Sequence, residues 1–412
     1  MKKVLSTILA ALLAAGALSA CQSAPASSGT ESTPESKAEE STAEESKAEG
    51  GDAATSDITL TYWSMWNSTE PQAIAIQEAI DAYTAETGIK VEVQWNGRDT
   101  QQQTIQAALD SQTAIDLFDE DFQRVSTQYN KNCLNLEDMA AAVGYEDYAV
   151  AALSAAVRNW AGELIAIPYQ PYTSGVFYNK AAFTAAGIEK EPETWDEFLE
   201  VCQKLKDAGY VPLVQDDAYV LYTYGFQLAR YIGQDAVKEL ALNGGWSQSA
   251  EAKKAADDIA NLVSQGYIDG LDVYPKGENR IGFEEAAMVV NASWVPSEIT
   301  NNTDCDLEWG MFNYPAVEGG KDPNTVANIG AQAFAIPSYS EHPQEAFDLI
   351  TKITSGEFDA KMAMASNGIP ADTRNEEWPE MLAGVRDAFN VQTAGTARHH
   401  HCQHLQFPRC LE

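Results

Sequence analysis

The chain has 412 residues, 45% of them hydrophobic, enough material for two or more cores. Its formal charge is −35, from 61 acidic against 26 basic side chains. Phosphate backbones are held by clustered Lys and Arg, so this balance excludes a nucleic-acid partner and leaves an exported surface suited to neutral or cationic solutes.

Lys2 and Lys3 precede an apolar run over residues 4–18, and Leu18-Ser19-Ala20-Cys21 follows. This is the pattern of a secretory signal, too short for a comfortable membrane span. The four residues resemble the lipobox of bacterial lipoproteins, which implies cleavage after residue 20 and a lipid anchor on Cys21. Residues 21–56 read as a disordered acidic tether, because Ser, Ala, Glu, Thr, Pro and Gly without aromatics cannot bury enough surface to fold.

Residues 58–71, ITLTYWSMWNSTEP, open the folded body. Ile58, Leu60 and Tyr62 alternate with Thr59, Thr61 and Trp63 as in a strand. Trp63, Trp66, Asn67 and Glu70 then crowd the approach to Pro71, a good first residue for a helix. Strand-to-helix loops lie at the carboxyl end of a sheet, where open α/β domains bind ligands. Two indoles beside an amide and a carboxylate suit a ligand with apolar faces and a rim of hydroxyls, such as a sugar; the bland reading makes both Trp core residues.

The pattern predicts helices over residues 71–87, ended by Gly88, and 100–110, with strands over 89–95 and 114–118. Strands separated by helices imply parallel βαβ units, and residues 164–168 continue the sheet. The alternation restarts near Thr173. Strands are predicted over 176–178, 211–214, 286–290, 309–312 and 331–336. Thr194 to Glu197 reads as a capping box, and further helices are predicted over 249–265, 343–354 and 377–389. Cys133, Cys202 and Cys305 are odd in number and widely spaced, which argues against disulfides or zinc and for buried thiols. Residues 399–412 hold four of the five His and break the acidic composition, so this aberrant tail is set apart from the fold.

With these elements in order, residues 57–398 resemble the extracellular solute-binding lipoproteins of ABC importers, in the carbohydrate family that includes maltose-binding protein. The resemblance rests on residues 58–71, Thr87-Gly88-Ile89-Lys90-Val91, Ile115-Asp116-Leu117-Phe118 and Gly162-Glu163-Leu164-Ile165-Ala166-Ile167-Pro168. It continues through Tyr178-Asn179-Lys180, Ala287-Met288-Val289-Val290-Asn291-Ala292-Ser293-Trp294 and Gly330-Ala331-Gln332-Ala333-Phe334-Ala335-Ile336. It implies an α/β fold of two lobes, each a mixed sheet flanked by helices, joined by a hinge of several crossings near residues 170–173, 309–312 and 367–370. One lobe would take residues 57–171 and 312–366, and the other 172–311 and 367–398, with ligand between them. The family continues past residue 390 with more C-terminal helix, which this chain replaces with the odd tail.

A sugar site needs aromatic faces and planar acceptors for adjacent hydroxyls. Candidate ligand residues are therefore Trp63, Trp66, Asn67, Glu70, Arg98, Asp119, Asp121, Tyr172, Trp294 and Gln332. Asp119 and Asp121 are chosen from an acidic run that would follow a strand, where a solvated surface is the alternative. Trp294 matches the stacking tryptophan of the maltose-binding relatives in place. Tyr172 sits at the first crossing, and Arg98 would donate a fork of hydrogen bonds or serve a surface salt bridge.

The chain lacks His-Glu-x-x-His, a P-loop and Gly-x-Ser-x-Gly, and holds one His before the tail, His342. The expectation is a monomeric, cofactor-free and metal-free binding protein rather than an enzyme. It would be lipid-anchored at the outer face of the cell membrane and deliver a carbohydrate, in particular an oligosaccharide, to an ABC permease. The alternatives are a receptor for a polyamine or other cationic solute, since acids and aromatics also box cations, and a cell-surface glycosidase.

Overall fold

The computed structural model describes residues 55–395, with side chains described to Gln392. The signal sequence, Cys21, nearly all of the tether and the tail from 399 lie outside the described residues. No described helix is long and apolar enough to cross a membrane.

Strand β1 (Thr59–Ser64) buries Leu60, Tyr62 and Ser64 and leaves the alternate residues half-buried, as the period of two requires. It lies between β2 (Lys90–Trp95) and β3 (Leu117–Asp121), parallel to both, as the βαβ reading expects. Pro71–Thr87 is the helix between β1 and β2, started by its proline and closed by Gly88 at φ 75°.

Four further strands follow in chain order: β4 (Ile167–Asn179), β5 (Val211–Val214), β6 (Ala286–Ala292) and β7 (Trp309–Phe312). The last two are β8 (Val326–Ala335) and the short β9 (Thr393–Gly395), which pairs with the start of β8. The main order is β2-β1-β3-β8-β4-β6-β5, with β7 on the free side of β4. The β3–β8, β4–β8 and β4–β6 pairs are antiparallel, so both sheets are mixed.

Strand β4 belongs to both sheets. Ile167 to Thr173 pairs with β8, and Ser174 to Asn179 then runs between β6 and β7. Between them the register slips: Tyr169 faces Gln332 while Tyr172 faces Gly330, so three steps on β4 match two on β8. The extra residue is taken up at Gln170, at φ 46°, followed by Pro171, which has no N–H to give a ladder. Two large apolar cores flank the sheets, and the first runs on from its own sheet to Phe177, Val289 and Met311 of the second. One gathers Leu60, Tyr62, Phe118, Ile167, Phe334 and Phe347, and the other Val176, Phe198, Leu213, Met288, Val290 and Phe312. This is the two-lobed mixed α/β class expected from the sequence.

The capping box is present: the Glu197 N–H donates to Thr194 Oγ1, and the Glu197 carboxylate accepts from the Thr194 N–H. Three expectations need correction. The third strand is Leu117–Asp121 and not residues 114–118, so the acidic run lies within it and not after it. Residues 377–389 are not one helix. Pro379 and Gly384 divide them into a single turn at Glu380–Leu382 and a short helix, Arg386–Asn390. Cys133 and Cys202 are buried free thiols, but Cys305 is only half-buried.

Candidate functional site

The carboxyl ends of β1 and β3 are tied together from within. Asp119 Oδ1 accepts from the Tyr62 hydroxyl at 3.1 Å and the Met65 N–H at 3.1 Å, and Oδ2 from the Tyr169 hydroxyl at 2.5 Å. The Trp66 indole N–H donates to the same Tyr169 oxygen at 2.7 Å. Asp119 is fully buried, and burial outweighs these bonds in lifting its carboxyl to about 6. Asp119 therefore braces the frame instead of facing open space, which corrects its expected place. Trp66 is buried at 3% exposure and belongs to the first core, so the core reading describes its ring in this structure.

Over Trp66 lies Arg98, its guanidinium 4.4 Å from the ring centroid and 2.8 Å from Glu70 Oε1. Glu70 Oε2 accepts from the Asn67 N–H at 2.6 Å and its amide at 3.1 Å. Partial burial pushes the Glu70 carboxyl up, but the Asn67 N–H and Arg98 more than offset it and hold the group below its usual range. Gly97, at φ 71°, permits this closeness, since a Cβ there would sit 2.7 Å from Asn67 Oδ1. Asn67, Glu70 and Arg98 thus form one partly exposed cluster over the buried Trp66 ring, with the salt-bridge reading of Arg98 present.

A second group forms where the sheets meet. Asp121 ends β3 opposite Gln332 on β8, and its side chain caps the next helix by accepting the Arg124 N–H at 3.0 Å. The bulge in β4 places Tyr172 against Gly330, where a Cβ would meet Tyr172 Cζ at 2.1 Å. The half-buried Tyr172 ring meets Trp294 edge-on, centroids 5.3 Å apart at 61°. Trp294 follows β6 and opens the Val295–Thr303 helix. Trp63 stays half-buried on β1, against the first core.

The sequence reading missed the rest of this aromatic wall. Tyr219 lies 6.4 Å from Trp294 and packs edge-on against Tyr274 at 5.4 Å, with Tyr222 6.1 Å from Tyr219. The Tyr274 hydroxyl donates to Glu298 Oε1 at 3.1 Å. The strand-end rule that singled out Trp66 and Trp294 also applies after β5, where Asp216-Asp217-Ala218-Tyr219 follows Val214 and Gln215.

Buried polar atoms of three candidate residues have no hydrogen-bond partner among the described residues: the indole nitrogens of Trp63 and Trp294, and Gln332 Oε1. Unsatisfied buried groups are costly, so an orphaned N–H on the Trp294 ring and an orphaned amide oxygen on Gln332 are open to a partner from outside the chain. Donors and acceptors are both present, a match for hydroxyl groups with apolar faces between them. No group of described His, Cys, Asp or Glu residues is arranged to hold a metal. If Tyr172 gates the wall, Gly330→Ala will push its ring off Trp294. We expect about tenfold weaker ligand binding and a stability loss of about 1–3 kcal/mol. That stability loss should vanish in a Tyr172→Ala background, as a double-mutant cycle of melting curves would show.

Residues 66–357 match the family model of the bacterial extracellular solute-binding proteins. A probable sugar-binding periplasmic protein of Rhizobium meliloti is 38% identical over 283 residues, 64% of either chain. The multiple sugar-binding protein of Streptococcus mutans is 26% identical over 211 residues, 47% of this chain and 48% of that one. The chain thus spans between about half and just under two thirds of these relatives' length. Among solved structures, the solute receptor AcbH aligns with a TM-score of 0.68 at 18% identity, over 82% of this chain and 88% of that one. Apo RafE of Streptococcus pneumoniae gives 0.66 at 20% identity, over 84% and 89%. A Bacillus licheniformis sugar transporter in complex with stachyose gives 0.58 at 21%, over 82% and 88%. The two-sheet fold threaded by β4 and the family model agree, and the chain belongs to the bacterial extracellular solute-binding proteins.

Proposed function

We propose that this protein captures a carbohydrate, in particular an oligosaccharide, between two lobes and delivers it to an ABC permease. The lobes comprise residues 57–171 with 312–366, and 172–311 with 367–398. The observation that carries the reading is the Tyr172–Trp294 contact at the sheet junction, together with the unsatisfied Trp294 indole N–H and Gln332 amide oxygen. Rings stack on the apolar faces of pyranoses, and the orphaned atoms take the hydroxyls. Tyr172 and Trp294 both belong to the second lobe, so a ligand laid on them biases the hinge at Gln170 and Pro171 toward closure when it also reaches Trp63, Gln332 or the Asn67–Arg98 cluster of the first. The sugar-binding names of the relatives and the stachyose complex of a structural neighbour support the same class.

The ligand residues of this reading are Trp63, Asn67, Glu70, Arg98, Asp121, Tyr172, Trp294 and Gln332, with Tyr219, Tyr222 and Tyr274 added. Asp119 and Trp66 serve as the frame behind them. The protein acts as a monomer, is anchored through Cys21 at the outer face of the membrane and catalyses no reaction. Omission of Cys21 by substitution should abolish incorporation of labelled palmitate.

The deciding experiment is a thermal-shift screen of the purified protein against neutral mono- and oligosaccharides, stachyose included, with spermidine as the cationic arm. A sugar that raises the melting temperature with little salt dependence supports the proposal. Stabilisation by spermidine alone, lost as salt rises, overturns it in favour of a cationic solute. Turnover of a chromogenic glycoside overturns the non-enzymatic part.

A further inference from the structure

Behind the aromatic wall lies a pair of carboxyl groups that the binding site itself does not use. Glu278, on the Lys276–Gly282 helix, is fully buried, and Glu298 lies one turn into the Val295–Thr303 helix. The outer oxygen of each is accounted for. Asn291 Nδ2 donates to Glu278 Oε2 at 3.1 Å, and the Tyr274 hydroxyl donates to Glu298 Oε1 at 3.1 Å. The remaining oxygens, Glu278 Oε1 and Glu298 Oε2, are buried and find no donor, yet the two side chains are within hydrogen-bonding reach of each other. Two ionised carboxylates cannot satisfy one another; a single proton between them satisfies both orphans.

Among the described residues, no cation is paired with either carboxyl. Lys276 is taken by Asp272 at 2.7 Å, and Arg280 by Asp269 at 2.9 Å and Glu285 at 3.4 Å. The groups facing the pair from the loop after β5 are acidic. Asp216 is bound to the Gly277 and Glu278 N–H groups at 2.7 and 2.9 Å, and Asp217 to the Tyr274 N–H at 3.0 Å. Tyr219 and Tyr274 contribute neutral hydroxyls, and β6 contributes the Asn291 amide. The two helices are also packed hard together, since a Cβ on Gly282 would meet Thr303 Oγ1 at 2.2 Å. The pair has little room in which to separate.

We propose that Glu278 and Glu298 share one proton and that this pair positions Trp294 and Tyr274, so that ligand capture weakens on the alkaline side. The route is short. The Glu298 N–H bonds the Trp294 carbonyl at 3.0 Å, and the Glu298 carboxyl holds Tyr274, which packs on Tyr219 beside Trp294. Loss of the proton sets two charges face to face and drives the first turn of the Val295–Thr303 helix, with its indole, out of register. Burial, then the charges of Glu298 and Asp216, hold the Glu278 carboxyl up to about 8, and burial raises Glu298 as well. The folded protein therefore keeps a proton that the unfolded chain releases near the ordinary 4.5. Stability from the pair is fullest at acid pH and is lost as pH rises through about 8.

The inference rests on the wall being the ligand site, so its test has arms that need no ligand. The melting temperature of the unliganded protein is followed from about pH 6 to about pH 9.5 in wild type, Glu298→Gln and Glu278→Gln. A glutamine amide donates permanently to the opposing carboxylate, so both variants should lose the alkaline fall that wild type shows. In parallel, tryptophan emission is corrected for the other indoles with Trp294→Phe. The Trp294 signal should shift through about pH 8 in wild type and stay constant in Glu298→Gln. With a sugar from the screen in hand, wild-type affinity should fall by up to about tenfold per pH unit above that midpoint, and Glu298→Gln should bind evenly throughout. Parallel melting profiles in wild type and both variants, or a Trp294 signal indifferent to pH, would overturn the shared proton. If no carbohydrate binds, the functional reading fails while the melting and emission arms still decide this one.

Discussion

Replacing Trp294 with alanine is expected to weaken carbohydrate binding about a hundredfold while the protein stays folded. The ring is half-buried, edge-on to Tyr172 at 5.3 Å, with an indole N–H that has no partner. A sugar laid on one face of an indole covers roughly 100 Å² of apolar surface, about 2.5 kcal/mol at the usual coefficient, before any hydrogen bond to Nε1 is counted. That alone converts to nearly two orders of magnitude in affinity. Trp294→Phe keeps a stacking face but loses the N–H, and should fall between wild type and alanine by isothermal titration. The fold should tolerate both, because Val295, Pro296 and Ile299 carry the burial of the following helix. An alanine variant that binds within about threefold of wild type would remove Trp294 from the site.

The place of Trp294 at a strand end was legible from the apolar run before it, whereas its proposed role and the choice of Tyr172 at the first crossing came from the family resemblance. Strands such as Val211–Val214 and Trp309–Phe312 matched their expected limits because apolar periodicity and turn residues agree there. Asp119 was misplaced because periodicity ends at Phe118 while the strand does not. Three long-range donors, from Tyr62, Met65 and Tyr169, pull a carboxylate into a buried position that local composition assigns to solvent. Tyr219 and Tyr274 went unseen for a related reason. They lie 55 residues apart and meet only when β5 and β6 pair, which brings Asp216 against Asp272. The Glu278–Glu298 pair is likewise a product of two helices docking, and neither residue stands out in the chain.

The largest loss of stability is expected at Arg230, which has no counterpart in any motif of the sequence. Its side chain is fully buried, between Phe226 and Tyr314 at 5.7 and 5.8 Å. It makes no salt bridge with any described residue. Nε donates to the carbonyls of Tyr314 and Pro315 at 3.2 Å each, and Nη2 to those of Tyr314 at 2.8 Å and Val326 at 2.9 Å. Burial lowers its pKa to about 10, so it remains a cation at neutral pH, held by carbonyl dipoles with a smaller attraction to the Asp322 carboxylate. Those carbonyls bracket the segment that carries the chain from β7 in one sheet to β8 in the other, so one guanidinium fixes a crossing between the sheets. Arg230→Ala leaves a cavity and strips the carbonyls of Tyr314, Pro315, Asn324 and Val326 of a charged donor, and should cost about 3–5 kcal/mol in urea unfolding. Arg230→Met fills most of the space and removes the buried charge, which itself carries a desolvation penalty, so it should cost roughly half as much. If both variants unfold within about 1 kcal/mol of wild type, the crossing is held by its own backbone and the guanidinium is incidental. If methionine is as damaging as alanine, the hydrogen bonds to the crossing outweigh the packing.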